Sequence, residues 1–222
     1  MARHPRFCPA GLPQHLIQRG NNHSICFARD EDYAAYAHWL HEYSEKYHVA
    51  VHAWVLMTNH IHLLATPETD NGTSQLMQAL SRRYAQYFNY TYDRSGTLWE
   101  GRFRSSLVEN ERYLLSCYRY IEMNPVRAQM VDAPEQYNWS SYRCNGLGVP
   151  STLCTPHEEY QKLGTNSGER LSNYRALFEK PVEQSLTKEI STALNKGLAL
   201  GSDKFKKEIE TLYGRRVTQA KM

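Results

Sequence analysis

Two histidines, His60 and His62, stand one residue apart in the stretch Thr58-Asn59-His60-Ile61-His62-Leu63-Leu64. In a strand, side chains alternate between faces, so both imidazoles point one way while Ile61 and Leu63 point the other. Two imidazoles on one face can share a metal ion, and the apolar face beneath them can seat the strand on a core. A surface or core role is the ordinary alternative for such a pair, and a second cluster weighs against it. Arg119-Tyr120-Ile121-Glu122-Met123-Asn124-Pro125-Val126-Arg127 ends a helical pattern. Tyr120 and Asn124 fall at i and i+4, on one helix face. A tyrosine nucleophile beside a carboxamide metal ligand is one use of that geometry.

The elements that must position these groups can be read in order. His15-Leu16-Ile17-Gln18-Arg19 reads as a first strand, closed by a turn at Gly20-Asn21-Asn22. Asp30 or Asp32 can cap a helix over residues 33–47, whose Tyr36, Trp39, Leu40 and Tyr43 repeat at helical spacing and belong to a core. Residues 49–57 and 60–66 read as a hairpin joined by Thr58-Asn59. A second helix over 75–90 carries a stripe of Leu76, Leu80, Tyr84 and Tyr87, with Arg82 and Arg83 off it on a solvated face. Residues 98–108 read as a fourth strand with Arg102 and Arg104 on one face, where they are candidates to contact phosphate groups. Arg19, Asn21 and Asn22 are further candidates, the asparagines through short polar side chains. Strand–helix–strand–strand–helix–strand is the pattern of a ferredoxin-like α+β sandwich.

The chain has 16 tyrosines, so helical geometry must choose among them. Over residues 111–124, Leu114, Tyr118 and Ile121 follow i, i+4, i+7 spacing and form the core stripe. Tyr120 lies about a quarter turn around, on the side of Asn124, at ~100° per residue. Tyr113 shares that side but stands ~16 Å from Asn124 along the axis, too far to share a metal with it. Pro125 disfavours helical geometry at Asn124, so the helix should end there. Glu122 points nearly opposite to Tyr120 and Asn124, and no role is assigned to it.

At 222 residues and 41% hydrophobic composition the chain can bury a core. Its apolar runs fall far short of the ~20 residues of a membrane span, and no secretory signal is evident at the start. A cytoplasmic protein with no membrane partner is expected. The five cysteines, Cys8, Cys26, Cys117, Cys144 and Cys154, are widely spaced and suggest neither zinc nor disulfides. Net charge is only +3. Residues 1–148 balance 14 basic against 14 acidic side chains, and 13 of those basics are Arg; residues 149–222 hold 12 basic against 9 acidic, mostly Lys. Arginine offers a planar fork to phosphate, lysine a point charge. The shift sets a boundary between a domain over 1–148 and an extension over 149–222, with helical pieces near 157–163, 169–179, 186–196 and 203–213, the last capped by Asp203.

As a set these motifs resemble the HUH single-strand nucleases. His60-Ile61-His62 matches their His-hydrophobic-His motif, and Tyr120 with Asn124 matches the catalytic tyrosine and fourth-residue ligand of their single-tyrosine transposase branch. Asn124-Pro125-Val126-Arg127-Ala128, Arg19-Gly20-Asn21-Asn22 and Leu98-Trp99-Glu100-Gly101-Arg102-Phe103 are similar to the REP-associated tyrosine transposases. The ligand usual in related insertion-sequence transposases is Gln; Asn is the shorter variant of the REP-associated branch. The resemblance covers roughly residues 10–145, in order. It implies the ferredoxin-like HUH fold, with a metal held by His60, His62 and Asn124. The ligands alone do not name that metal; the relatives use Mg²⁺ or Mn²⁺. It further implies attack by Tyr120 on single-stranded DNA at a REP-type hairpin, a 5′-phosphotyrosine intermediate, and a monomer rather than a dimer. Two rivals stand beside this reading: a domesticated REP-hairpin binder with little or no cleavage, and a metallohydrolase that uses the His pair with water.

Overall fold

The structure, a computed structural model, describes residues 6–179 and 183–219; the first five residues lie outside the described ones. Four strands, β1 (Gln14–Arg19), β2 (Val49–Met57), β3 (His60–Pro67) and β4 (Arg104–Leu107), form one antiparallel sheet in the order β2-β3-β1-β4. Helix α1 (Asp30–Lys46) links β1 to β2, and α2 (Gly72–Thr91) links β3 to β4. This is the expected ferredoxin-like α+β plan.

The register assigns the two faces. Ile17 pairs with His62 on one side and Arg104 on the other, Arg19 pairs with His60, and Val55 pairs with His62. Directly paired residues share a face, so His15, Ile17, Arg19, His60, His62 and Arg104 all stand on one side. Leu16, Ile61, Leu63, Trp54 and Leu56 belong to the opposite side, in a core with Tyr36, Leu40, Leu80 and Tyr84 of α1 and α2. Tyr36, Leu40 and Tyr43 are buried as expected. At its start α1 is closed from its third residue: Asp32 Oδ2 accepts from the Ala28 and Arg29 amides.

Helix α3 (Asn110–Glu122) packs across the histidine face. Leu114, Tyr118 and Ile121 are fully buried against Val55, Met57 and Leu64, as their spacing requires. The chain does not leave helical geometry at Asn124. After Met123 (φ −86°, ψ 0°) a short helix α4 (Asn124–Arg127) follows, with Pro125 in its first turn, where a missing N–H costs nothing.

The fourth strand is shorter than the sequence suggests, and residues 98–103 join the sheet only through an isolated bridge between Trp99 and Gly20. Leu98 and Trp99 are both buried but lie outside the regular ladder. The Trp99 indole instead donates to the Ser81 carbonyl at 3.1 Å, so Arg104 lies on the strand and Arg102 before it.

Beyond Arg127 come α5 (Tyr142–Asn145), α6 (Glu158–Gln161), α7 (Ser167–Ala176), α8 (Gln184–Lys196) and α9 (Asp203–Tyr213). Tyr160, Tyr174, Ile190 and Leu200 share a core with Tyr118 and Ile121. Leu200 bonds Leu107 and Glu109 through its backbone (2.7 and 2.9 Å), covering the edge at β4. Helix α9 is capped by Ser202, whose Oγ accepts from the Phe205 amide at 3.2 Å. Asp203 lies one residue inside, because the Ser202 amide and hydroxyl are also held by Glu109 (2.8 and 2.7 Å).

His52 sits at a register irregularity of β2. Its ring is fixed between the Thr155 carbonyl and the Thr66 hydroxyl, both at 2.8 Å. His157 is its titratable neighbour, edge-on at 5.0 Å. Burial, first, lowers its pKa from 6.5 to about 4. Such a group supports the fold fully above pH 6.5 and withdraws that support as pH falls toward 4, to the extent of about 3 kcal/mol. Wild-type stability in urea should therefore fall more steeply than that of His52→Gln between pH 6.5 and 4.5. Parallel curves would exclude a His52 contribution.

Candidate active site

Four of the residues singled out by spacing meet in one pocket. His60 and His62 rise from β3, Tyr120 comes from the last turn of α3, and Asn124 begins α4; all line a cavity of about 340 Å³ together with Arg127 and Asn195. The His60 and His62 rings lie 5.1 Å apart, nearly perpendicular, and the Tyr120 ring meets His62 edge-on at 5.8 Å. His62, Tyr120 and Asn124 are buried.

Hydrogen bonds fix which atoms remain free to coordinate. The Asn59 amide nitrogen donates to the His23 carbonyl at 3.2 Å, so the Asn59 oxygen faces His60 Nδ1, 2.6 Å away. An amide oxygen only accepts. His60 Nδ1 must carry the proton, which leaves Nε2 with a bare lone pair. His62 Nδ1 is engaged by His15 Nε2 at 2.9 Å, so its Nε2 is the atom left for a ligand. Asn124 Nδ2 donates to the carbonyls of Tyr120 (2.9 Å) and Ile121 (3.2 Å), which satisfies two orphan acceptors at the end of α3 and leaves Oδ1 free.

The environment keeps both imidazoles neutral. Burial, followed by the charge of Arg19, lowers His60 to about 4. Burial and neighbouring His15 hold His62 well below 6.5. A neutral imidazole is the form that binds a metal. Two imidazole nitrogens and one amide oxygen therefore fit a divalent cation with positions left open. Among the described residues no cluster of three His, Cys, Asp or Glu side chains forms a fuller cage.

Three residues with a place in the site carry no role in the sequence reading. His15 is fully buried behind His62 and meets Tyr120 edge-on at 5.5 Å. Its Nδ1 has no hydrogen-bond partner among the described residues. Strand alternation puts His15 on the face of Ile17, two residues on, but only the register shows that Ile17 pairs with His62. Asn59 sets the His60 tautomer from the turn before the strand. Arg127 places its guanidinium 4.0 Å from the Tyr120 ring centre and hydrogen-bonds that side chain.

A wider groove of about 640 Å³ opens beside the pocket. Arg19, Arg102 and Arg104 line it with Arg6 and His23, against a single acid, Glu100. Arg104 is tied to Asn195 (3.0 Å) and lies 3.9 Å from Glu100. Asn21 and Asn22 are not among its lining residues; they are exposed in the turn after β1. That turn needs its glycine, because a Cβ on Gly20 would lie 2.2 Å from the Ser24 carbonyl oxygen.

The fold and the pocket can be set beside known proteins. No curated protein matches the chain. Among solved structures, a REP-associated tyrosine transposase bound to a REP hairpin aligns with a TM-score of 0.56 at 19% identity, over 71% of this chain and 93% of that one. A protein of Deinococcus radiodurans R1, assigned as a transposase, aligns at 0.37 with 17% identity, over 61% of this chain and 97% of that one. The first likeness extends the fold assignment to the α+β sheet with its packed helices. The model of the IS200-like transposases matches residues 10–124, just over half of the chain and inclusive of His60, His62, Tyr120 and Asn124. The chain thus belongs to the IS200-like transposase family and is an enzyme that acts on DNA.

Proposed function

We propose that this protein is a metal-dependent single-strand DNA endonuclease and strand transferase that cuts at REP-type hairpins through a 5′-phosphotyrosine intermediate. The observation that carries the reading is the convergence of the Tyr120 side chain, the His60 and His62 imidazoles and the Asn124 side chain on one pocket. His60, His62 and Asn124 would hold Mg²⁺ or Mn²⁺, which supplies Lewis-acid polarisation of the scissile phosphate. Tyr120 attacks phosphorus; the bond to the 3′ oxygen breaks; and, in net terms, the phenol proton ends on that oxygen as the free 3′-OH. The phosphotyrosine ester conserves the bond energy, so a different 3′-OH can reverse the step and join strands. Arg127 holds the ring and supplies positive charge beside the reacting oxygen. Arg19, Arg102 and Arg104 line the path of the phosphate backbone, with Asn21 and Asn22 at its margin.

The bound REP hairpin is a property of the solved relative, and the likeness of fold supports the same substrate class here. Tyr120 lines the same pocket as the His60–His62 pair of its own chain, which supports action in cis by a monomer. An enzyme that acts on DNA would work in the cytoplasm or at the nucleoid; separately, no helix among the described residues is long and apolar enough to cross a membrane.

The test is cleavage of a labelled single-stranded hairpin oligonucleotide with Mg²⁺ or Mn²⁺. Chelation should abolish cleavage and spare binding; hairpin binding with no cleavage under any metal would favour the binding-protein reading instead. His15→Ala should weaken Mn²⁺ binding by ~10–100-fold in titration calorimetry, the usual cost of losing a ligand's hydrogen-bond partner. Unchanged affinity would remove His15 from the site.

A further inference from the structure

We propose that the C-terminal extension forms the second half of the DNA-binding face, and that Lys196, Arg215 and Arg216 hold the sugar–phosphate backbone of a base-paired stem. The inference rests on the reading above, that the substrate is a DNA hairpin. Beside the Arg19–Arg102–Arg104 groove lies another of about 450 Å³, lined by Lys196, Arg215 and Arg216 together with Arg6 and Arg104. None of the described residues that line it is acidic. Arg6, Arg104 and Asn195 border both grooves, and Asn195 also borders the catalytic pocket. The three cavities therefore form one track from the tyrosine to the extension.

The basic groups of this track are fixed in place. Arg216 Nη2 donates to the Gln219 carbonyl at 2.8 Å, and Lys196 Nζ reaches the Gln219 side chain at 3.2 Å. Glu210, the nearest acid to this turn in the hydrogen-bond pattern, is occupied by the Val217 and Thr218 amides (2.8 and 3.0 Å) and the Thr218 hydroxyl (2.8 Å). The Ala199 amide ties the same turn to the edge of the sheet through Val217 at 3.0 Å. The net +3 of the chain resides in residues 149–222, since residues 1–148 balance.

The chemistry of the lining selects the occupant. Single-stranded DNA binds where rings are offered for stacking, whereas a duplex hides its bases and presents one charge per ~1.7 Å of axis. Among the described residues the one ring lining this groove, Phe7, already meets Tyr213 edge-on at 4.9 Å and lies 5.2 Å under Arg215. Guanidinium and ammonium groups without a stacking platform read phosphate.

The test is fluorescence anisotropy in chelator, with a hairpin oligonucleotide bearing an unpaired foot and, separately, the foot alone. Arg215→Ala/Arg216→Ala should weaken hairpin binding by ~10-fold and lower the slope of log affinity against log salt by ~1.8, two duplex phosphates' worth. Binding of the foot alone should stay within about twofold. Lys204→Ala/Lys207→Ala, the same charge loss on α9 away from the groove, should do neither. Unchanged hairpin affinity in the Arg double variant, equal loss for both probes, or equal loss in the Lys control would overturn the proposal. Because metal and cleavage are absent from this assay, its outcome is separate from that of the phosphotyrosine reading: a wild type that binds stems through Arg215 and Arg216 yet forms no adduct would sink that reading alone.

Discussion

Tyr120→Phe should lose covalent adduct formation altogether and lower cleavage by ~10⁴-fold or more, the scale of removing a nucleophile, while hairpin affinity stays within about twofold. The variant deletes one oxygen from a ring held by its surroundings. The Phe ring keeps its edge contacts with His15 and His62, and Arg127 keeps its seat over the ring face. The imidazole rings are held by Asn59 and His15, not by the phenol. Loss of activity would thus report chemistry and not a collapsed pocket. Cleavage that survives would instead indicate water as nucleophile at the histidine pair, the hydrolytic rival.

Glu122→Ala should destabilise the fold by about 3–5 kcal/mol in urea unfolding, and Glu122→Gln by much less. Glu122 is wholly buried, on the far side of α3 from the catalytic pocket. Its carboxylate accepts from Ser141 Oγ (2.5 Å), Asn145 Nδ2 (2.8 Å) and the Tyr174 hydroxyl (2.5 Å). Alanine leaves three buried donors without an acceptor and opens a cavity; glutamine keeps the volume and one oxygen. This carboxylate ties the helix that presents Tyr120 to α5 and, through Tyr174, to α7. Equal small losses in both variants would show that the cluster relaxes around the change.

The convergence of the candidate site residues is legible in the sequence because its geometry is local. His60 and His62 are a strand repeat and Tyr120 with Asn124 a helix repeat, so each pair needs only its own element to be correct. The sheet plan follows from the element pattern. What escapes is set by contacts between distant segments. His15 meets His62 across 47 residues and Glu122 meets Tyr174 across 52, and no periodicity encodes such partners. The fourth strand reads too long because its regular pairing with β1 ends at Arg104, while the segment before it is held by contacts such as the Trp99 indole on the Ser81 carbonyl. Pro125 reads as a stop at Asn124, whereas it falls in the first turn of a new helix. Asp203 yields its cap to Ser202 because Glu109, far along the chain, anchors that residue.

The central claim is that Tyr120 becomes joined to DNA in the pocket of His60, His62 and Asn124. Its most direct test is peptide mapping of the covalent complex formed on a hairpin oligonucleotide with Mg²⁺ or Mn²⁺. A metal-dependent adduct whose nucleotide sits on the peptide that contains Tyr120 is the expected result. An adduct on any of the other tyrosines, or complete cleavage with no adduct, would contradict it.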